Sequence, residues 1–229
     1  GKQVEFRGST VDVAQVVSAD ILLVVNSEDE LHLCLLVQCG TVVEESATNS
    51  SHSVSLVFAK VCDETPDITC ICALDDELLF DQTPTHVRYI APHLAVISGT
   101  NGLLALVKSD SFGSNTAELL VEDSMWPEPP RDCVLSHRGD VVITAVDCVR
   151  VAGADGCDLT LVSGDSDGTV CVWRVNSASG SCYLSYKLYH AECEARRIFS
   201  LHLSPSGCEV AVGLLDRLLL LHYRSNDQG

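Results

Sequence analysis

The stretch from Leu161 to Val175, LVSGDSDGTVCVWRV, constrains the fold of this chain more than any other. It reads as two short apolar strands joined by the polar turn Ser163-Gly164-Asp165-Ser166-Asp167-Gly168. The first half is apolar up to Gly164, and the second alternates through Val170, Val172 and Val175, with Trp173 near its end. Side chains along a strand point alternately to opposite faces, and Gly and Asp accommodate tight turns, so this pattern signals a β-hairpin.

The pattern recurs, as repeat architectures require. Downstream, Ile198 to Gly207 ends in Leu-Ser-Pro-Ser-Gly, Cys208 to Gly213 follows, and Leu214 to Tyr223 completes a second copy. Gly213 falls where Gly164 does, and Asp216 where Asp167 does. Upstream, Leu94 to Gly99 and Leu103 to Val107 flank Thr100-Asn-Gly102. Near the start, Ile21 to Asn26 and Glu30 to Leu36 flank Ser27-Glu-Asp29, and a weaker copy runs from Ile68 to Phe80. The hairpin around Trp173-Arg174 resembles the strand pair of a WD-repeat blade, with Trp-Arg where that family carries Trp-Asp. The Leu-Ser-Pro-Ser-Gly turn is similar to the family's turn between first and second strands. The signature residues cover about Leu135 to Tyr223, and the rest is similar in pattern. The resemblance implies an all-β β-propeller of WD-repeat type, a platform on which other proteins dock.

First strands of the blades are expected at Val11–Val17, Val54–Lys60, Val87–Ile90, Val141–Val146 and Ile198–Leu203. Outer strands are expected at Thr41–Glu45, Ala117–Glu122 and Cys182–Leu188. A repeat takes about 40–45 residues and propellers have about 4–8 blades, so 229 residues give about five blades or part of a larger ring. The five units are 9–50, 53–83, 85–125, 133–189 and 190–223, in a single domain spanning 1–229. A propeller protects its edges by closing, so the strand at 3–8, with Val4–Arg7 at its heart, is expected to complete the last blade.

In WD repeats a His, a Ser, the turn Asp and the Trp form a buried hydrogen-bonded set. The resemblance carries these roles to His137, Ser163, Asp167 and Trp173. A buried carboxylate needs such partners, because an unpaired buried charge is costly. In the last blade the matching positions keep His190 and Asp216, with Ala211 or Val212 for the Ser and His222 for the Trp. The family's arrangement also places the turns between second and third strands on one rim with the loops that lead into each blade. Here that rim carries Leu214, Leu215, Asp165 and Ser166, with Arg138, Glu192 and Arg196 from the leading loops. Two leucines in a turn are unusual, since turns favour polar residues. They either pack locally or form an apolar anchor ringed by acids, suited to a peptide with hydrophobic and basic residues. Trp126, in the proline-rich segment Ser124 to Pro130, either caps a blade edge or contacts a partner.

The net charge of −18, from 14 basic and 32 acidic residues, argues against direct nucleic-acid binding, which needs a basic footprint. No apolar run is long enough to span a membrane, and the first residues lack the core of a signal peptide. None of the 12 cysteines forms C-x-x-C, so they are expected to be thiols in an intracellular setting rather than metal ligands. There is no G-x-S-x-G, glycine-rich phosphate loop or H-E-x-x-H, and no cofactor is expected. The reading that follows is a non-catalytic scaffold, a subunit or adaptor within a multiprotein complex. The alternatives are a structural coat, pore or cytoskeletal-array subunit, and a propeller hydrolase.

Overall fold

A computed structural model of the chain describes residues 2–6, 9–24, 30–39, 53–62, 65–74, 82–91, 94–108, 118–120, 140–151, 156–178, 182–188 and 190–223. Every regular element among them is a strand. In chain order these are β1 (Lys2–Phe6), β2 (Ser9–Val24), β3 (Glu30–Cys39), β4 (Ser53–Cys62) and β5 (Thr65–Leu74). Then come β6 (Pro84–Ala91), β7 (Leu94–Gly99), β8 (Leu104–Lys108) and β9 (Glu118–Leu120). The last seven are β10 (Ile143–Arg150), β11 (Leu159–Asp165), β12 (Val170–Val175), β13 (Cys182–Leu188), β14 (Ser200–Leu203), β15 (Glu209–Gly213) and β16 (Leu218–His222).

Within each sheet the strands follow one another in chain order: β1 to β5, β6 to β9, β10 to β13, and β14 to β16. Such up-and-down sheets, four-stranded in two of the four cases, are the units of a β-propeller, and the fold is of that all-β class. The chain divides into two compact units, one of residues 1–81, 85–97 and 107–119, the other of 82–84, 98–106 and 120–229.

The first unit corrects two expectations. β3 pairs with β4 from Leu31↔Val61 to Cys39↔Ser53, so the units expected at 9–50 and 53–83 share one sheet. The Ser- and Thr-rich segment between them reads as a blade boundary, yet the strands on either side of it are direct neighbours. Among the described residues, the strand expected to complete the last blade is found in the first sheet instead. β1 pairs with β2, from Lys2↔Val13 to Phe6↔Ser9, as the fifth strand of the first sheet. Only two residues separate β1 from β2, and such local pairing involves far less loop-closure entropy than a contact across the whole chain. The expected outer strand at Thr41–Glu45 lies outside the described residues.

The second unit holds the signature hairpin. β11 and β12 pair from Leu159↔Val175 to Gly164↔Val170, and β13 adds to β12 from Val170↔Leu188 to Val175↔Cys182. Its core joins two sheets: Val162, Val170 and Val172 of one meet Leu201, Val210 and Val212 of the next, with Cys193 and Ile198 between. Polar ties reinforce this packing. The Thr144 hydroxyl lies 3.2 Å from the Gly164 carbonyl and 2.6 Å from that of Ile198. The Leu203 N–H donates to the Asp147 carboxylate at 2.9 Å. The same tie occurs in the first unit, where the Tyr89 N–H donates to Asp20 at 2.8 Å. In each case an acidic residue inside an apolar strand accepts from the first strand of the following sheet. Asp147 is nearly buried. Asp147→Ala therefore leaves the part-buried Leu203 N–H without this acceptor and is expected to destabilise by about 1–3 kcal/mol, with Asp147→Asn partly restoring the acceptor. Denaturant unfolding of the two variants checks this.

Tyr223 closes the same core. Its ring lies 5.6 Å from that of Tyr186, and its hydroxyl donates to the Gly207 carbonyl. Burial pushes the phenol up to about 12. The folded state thus holds the proton above the pH at which the unfolded chain releases it. Stability from this group is complete below about pH 10, the ordinary tyrosine value, and is lost as pH rises toward about 12. Tyr223→Phe is expected to flatten this alkaline decline in thermal melts.

Candidate functional site

Three loops of the second unit meet on one rim: the turn between β11 and β12, the loop 190–198 before β14, and the turn between β15 and β16. The first turn is built around Asp165, which is 0% exposed. Its carboxylate accepts the N–H groups of Asp167 at 2.9 Å and Thr169 at 2.8 Å, the local bonding for which Asp is favoured in turns. Ser166 is tied to Val142, the residue just before β10: its N–H donates to the Val142 carbonyl at 2.9 Å, and its hydroxyl accepts the Val142 N–H at 3.1 Å. The loop 190–198 rests directly on this turn. The Ala195 N–H donates to the Asp167 carbonyl and the Ile198 N–H to that of Asp165, both at 3.1 Å. Gly168, at φ +88°, lets the Cys193 carbonyl approach where a side chain would stand.

The third turn is one residue shorter than the first. Leu214 donates to the Arg217 carbonyl, whereas Asp165 donates to that of Thr169. Leu214, directly after Gly213, takes the place of Asp165 and is buried in the core, 8% exposed, while Leu215 stands at the tip, 86% exposed. Ion pairs surround that tip. Arg217 donates to Glu192 at 2.8 Å and to Asp216 at 2.9 Å, and Arg196 lies 3.3 Å from Asp216. Hydrogen bonds from Arg217 hold the Glu192 and Asp216 carboxyls below their usual range, and these two carboxylates in turn push the Arg217 guanidinium further up.

The structure therefore redistributes the candidate residues. Asp165 and Leu214 are buried: the carboxylate of the first accepts turn amides, and the side chain of the second packs in the core. Ser166 is held by Val142. Glu192, Arg196 and Leu215 do share the exposed rim. Arg217, which reasoning from sequence missed, organises it, and no sequence signal pairs it with a carboxylate 25 residues away. Arg138, His137 and Trp126 lie outside the described residues.

The Trp173 indole N–H donates to the Ser163 hydroxyl at 2.8 Å, and both residues are buried. Asp167 lies beside them in sequence, at the partly exposed turn. In the last sheet the register Gly213↔Leu218 matches Gly164↔Val170, so the counterparts of Ser163 and Trp173 are Val212 and Leu221. The shorter turn shifts the Trp position from His222 to Leu221 and replaces the polar pair with an apolar one. Among the described residues no three His, Cys, Asp or Glu side chains converge as a metal ion would require. No helix of the described residues is long and apolar enough to cross a membrane.

No protein-family model matches this sequence, and no curated protein matches it. Among solved structures, the chain is similar to the C-terminal WD40 domain of Sif2, with 11% identity and a TM-score of 0.48 over 94% of this chain and 60% of that one. It is also similar to the periplasmic gluconolactonase PpgL of Pseudomonas aeruginosa, with 13% identity and a TM-score of 0.43 over 89% of this chain and 66% of that one. Drosophila semaphorin 2a gives 14% identity and a TM-score of 0.43 over 90% of this chain and 44% of that one. The chain thus spans less than two thirds of each of these structures.

Proposed function

We propose that this chain is a non-catalytic scaffold of WD-repeat type, a subunit or adaptor of a multiprotein complex that docks partner segments on the rim around Leu215. The observation that carries the reading is Leu215 itself, a large apolar side chain 86% exposed at a turn tip and framed by ion-paired Glu192, Arg196, Asp216 and Arg217. An apolar centre with a polar rim is the ordinary anatomy of a protein interface. The ion pairs fix the turn, so little conformational freedom is lost on binding. A net charge of −18 steers a partner segment carrying basic residues beside its apolar anchor. In this reading His137, Ser163, Asp167 and Trp173 hold one blade together and take no part in chemistry.

Leu215→Asp tests the proposal. The side chain has almost no packing to lose, so thermal unfolding is expected to stay within about 0.5 kcal/mol of the parent. Proteins captured from cell extract by the parent and quantified by mass spectrometry are expected to fall at least about tenfold with the variant, as loss of a hot spot predicts. A folded variant that retains every partner removes the rim from consideration.

A further inference from the structure

The carboxylates beside Leu215 already hold a cation, and it is the chain's own. The Arg217 guanidinium lies between two acids from separate loops. Its Nη1 donates to Glu192 of the loop 190–198 at 2.8 Å. Its Nη2 and Nε take the two oxygens of Asp216 at 2.9 and 3.3 Å, a bidentate fork for which guanidinium geometry is suited. Arg196 adds a further contact to Asp216 at 3.3 Å. Acidic residues outnumber basic ones 32 to 14, so carboxylates are abundant in this chain and cations scarce. Two of those cations nevertheless meet at one turn, next to Leu215, the most exposed large apolar side chain among the described residues. All four charged side chains of this network are 40% to 51% exposed. Ion pairs so open to water contribute little to folding, so the fold leaves this guanidinium replaceable. The main chain closes the turn whatever side chain stands at 217, since the Leu214 N–H donates to the Arg217 carbonyl.

We infer that Arg217 is a resident competitor: it fills the place between Glu192 and Asp216 that a basic side chain of a docked segment takes, and so holds the affinity of the rim down. The inference rests on the docking role proposed for the Leu215 rim and names what that site recognises, an apolar anchor next to a guanidinium or ammonium group. The structure shows which chemistry these two carboxylates hold, because they hold it already. A partner's cation that displaces Arg217 keeps Glu192 and Asp216 bridged, so one set of ion contacts is exchanged for another. While Arg217 is present, the basic residue therefore adds specificity and little affinity. An acidic residue at the same point faces both carboxylates and is rejected.

The probe is the peptide acetyl-Gly-Leu-Arg-Leu-Gly-amide, titrated to millimolar concentration into the isotope-labelled full chain and into its Arg217→Gln variant. Saturable shifts of the Glu192, Leu215 and Asp216 amide resonances are expected in both. Binding is expected to be about threefold tighter in the variant, the scale of one exposed ion pair, at unchanged thermal stability. The gain should vanish when glutamate replaces the peptide's arginine, and should close at about 1 M salt, where the screening length is about 3 Å. Arg217→Lys keeps the competing charge and should bind like the parent. Equal or tighter binding by the parent, the same gain with the glutamate peptide, shifts located elsewhere, or no shift overturns the inference. Leu215→Ser in the Arg217→Gln chain separates this failure from failure of the rim itself. If that chain binds the peptide undiminished, the apolar anchor is not used and the rim reading falls. If it loses the peptide while Arg217→Gln binds no tighter than the parent, the rim stands without a competitor.

Discussion

Gly168→Ala is expected to be the most damaging addition of a single methyl group, costing more than about 3 kcal/mol or preventing folding. Two effects combine. At φ +88° any Cβ meets the left-handed penalty of about 1–2 kcal/mol. The added atom would also stand 1.7 Å from the Cys193 carbonyl oxygen and 3.1 Å from that of Arg196. Both obstacles are backbone, so no rotamer change relieves them. The loop must lift, which breaks the bonds from Ala195 to Asp167 and from Ile198 to Asp165, each worth about 0.5–1.5 kcal/mol. Gly156 supplies the control. Its φ is +79°, but the nearest atom to an added Cβ is the Asn176 side-chain nitrogen at 3.9 Å. Gly156→Ala should therefore show the conformational penalty alone. Similar denaturation midpoints for the two variants would falsify the role given to the contact between turn and loop.

Trp173→Ala is expected to cost about 3–5 kcal/mol, the range for truncating a buried aromatic. Trp173→Phe separates packing from hydrogen bonding. It keeps most of the buried ring and removes the donor to Ser163, so its cost should stay near about 1–2 kcal/mol. Equilibrium unfolding of both variants measures the difference. If Phe proves as harmful as Ala, the indole N–H carries more of the stability than its packing does. The last sheet performs the natural version of this experiment, with Val212 and Leu221 in place of the polar pair.

What could be read in advance was local. The hairpin of β11 and β12 follows from Gly164 to Gly168 and the alternating valines, and β13 falls on the expected range Cys182–Leu188. The junction of β3 and β4 was not legible, because a Ser- and Thr-rich connection looks the same within a sheet as between sheets. The partner of β1 was equally hidden, since alternation marks a strand but not its neighbour. At the rim, reading failed by one residue. Two turns of similar sequence differ in length by one, and a shift of one residue moves a side chain to the opposite face. The shift moves the Trp position from His222 to Leu221, while Leu214 keeps the buried place of Asp165 and Leu215 stands exposed. Asp165 and Asp167 are both ordinary turn residues in sequence, and only the position of the turn amides shows which carboxylate is enclosed. Arg217 meets Glu192 only through folding.

The carboxylates of Asp20 and Asp147 grip the main chain of the next sheet, at Tyr89 and Leu203. A backbone N–H is supplied by nineteen of the twenty residue types, so the clasp is indifferent to the side chain that arrives. Successive sheets held this way can drift apart in sequence while staying fastened, and a repeat protein so built erases its own signature without loosening. The substitution the clasp cannot absorb is proline, at position 89 or 203.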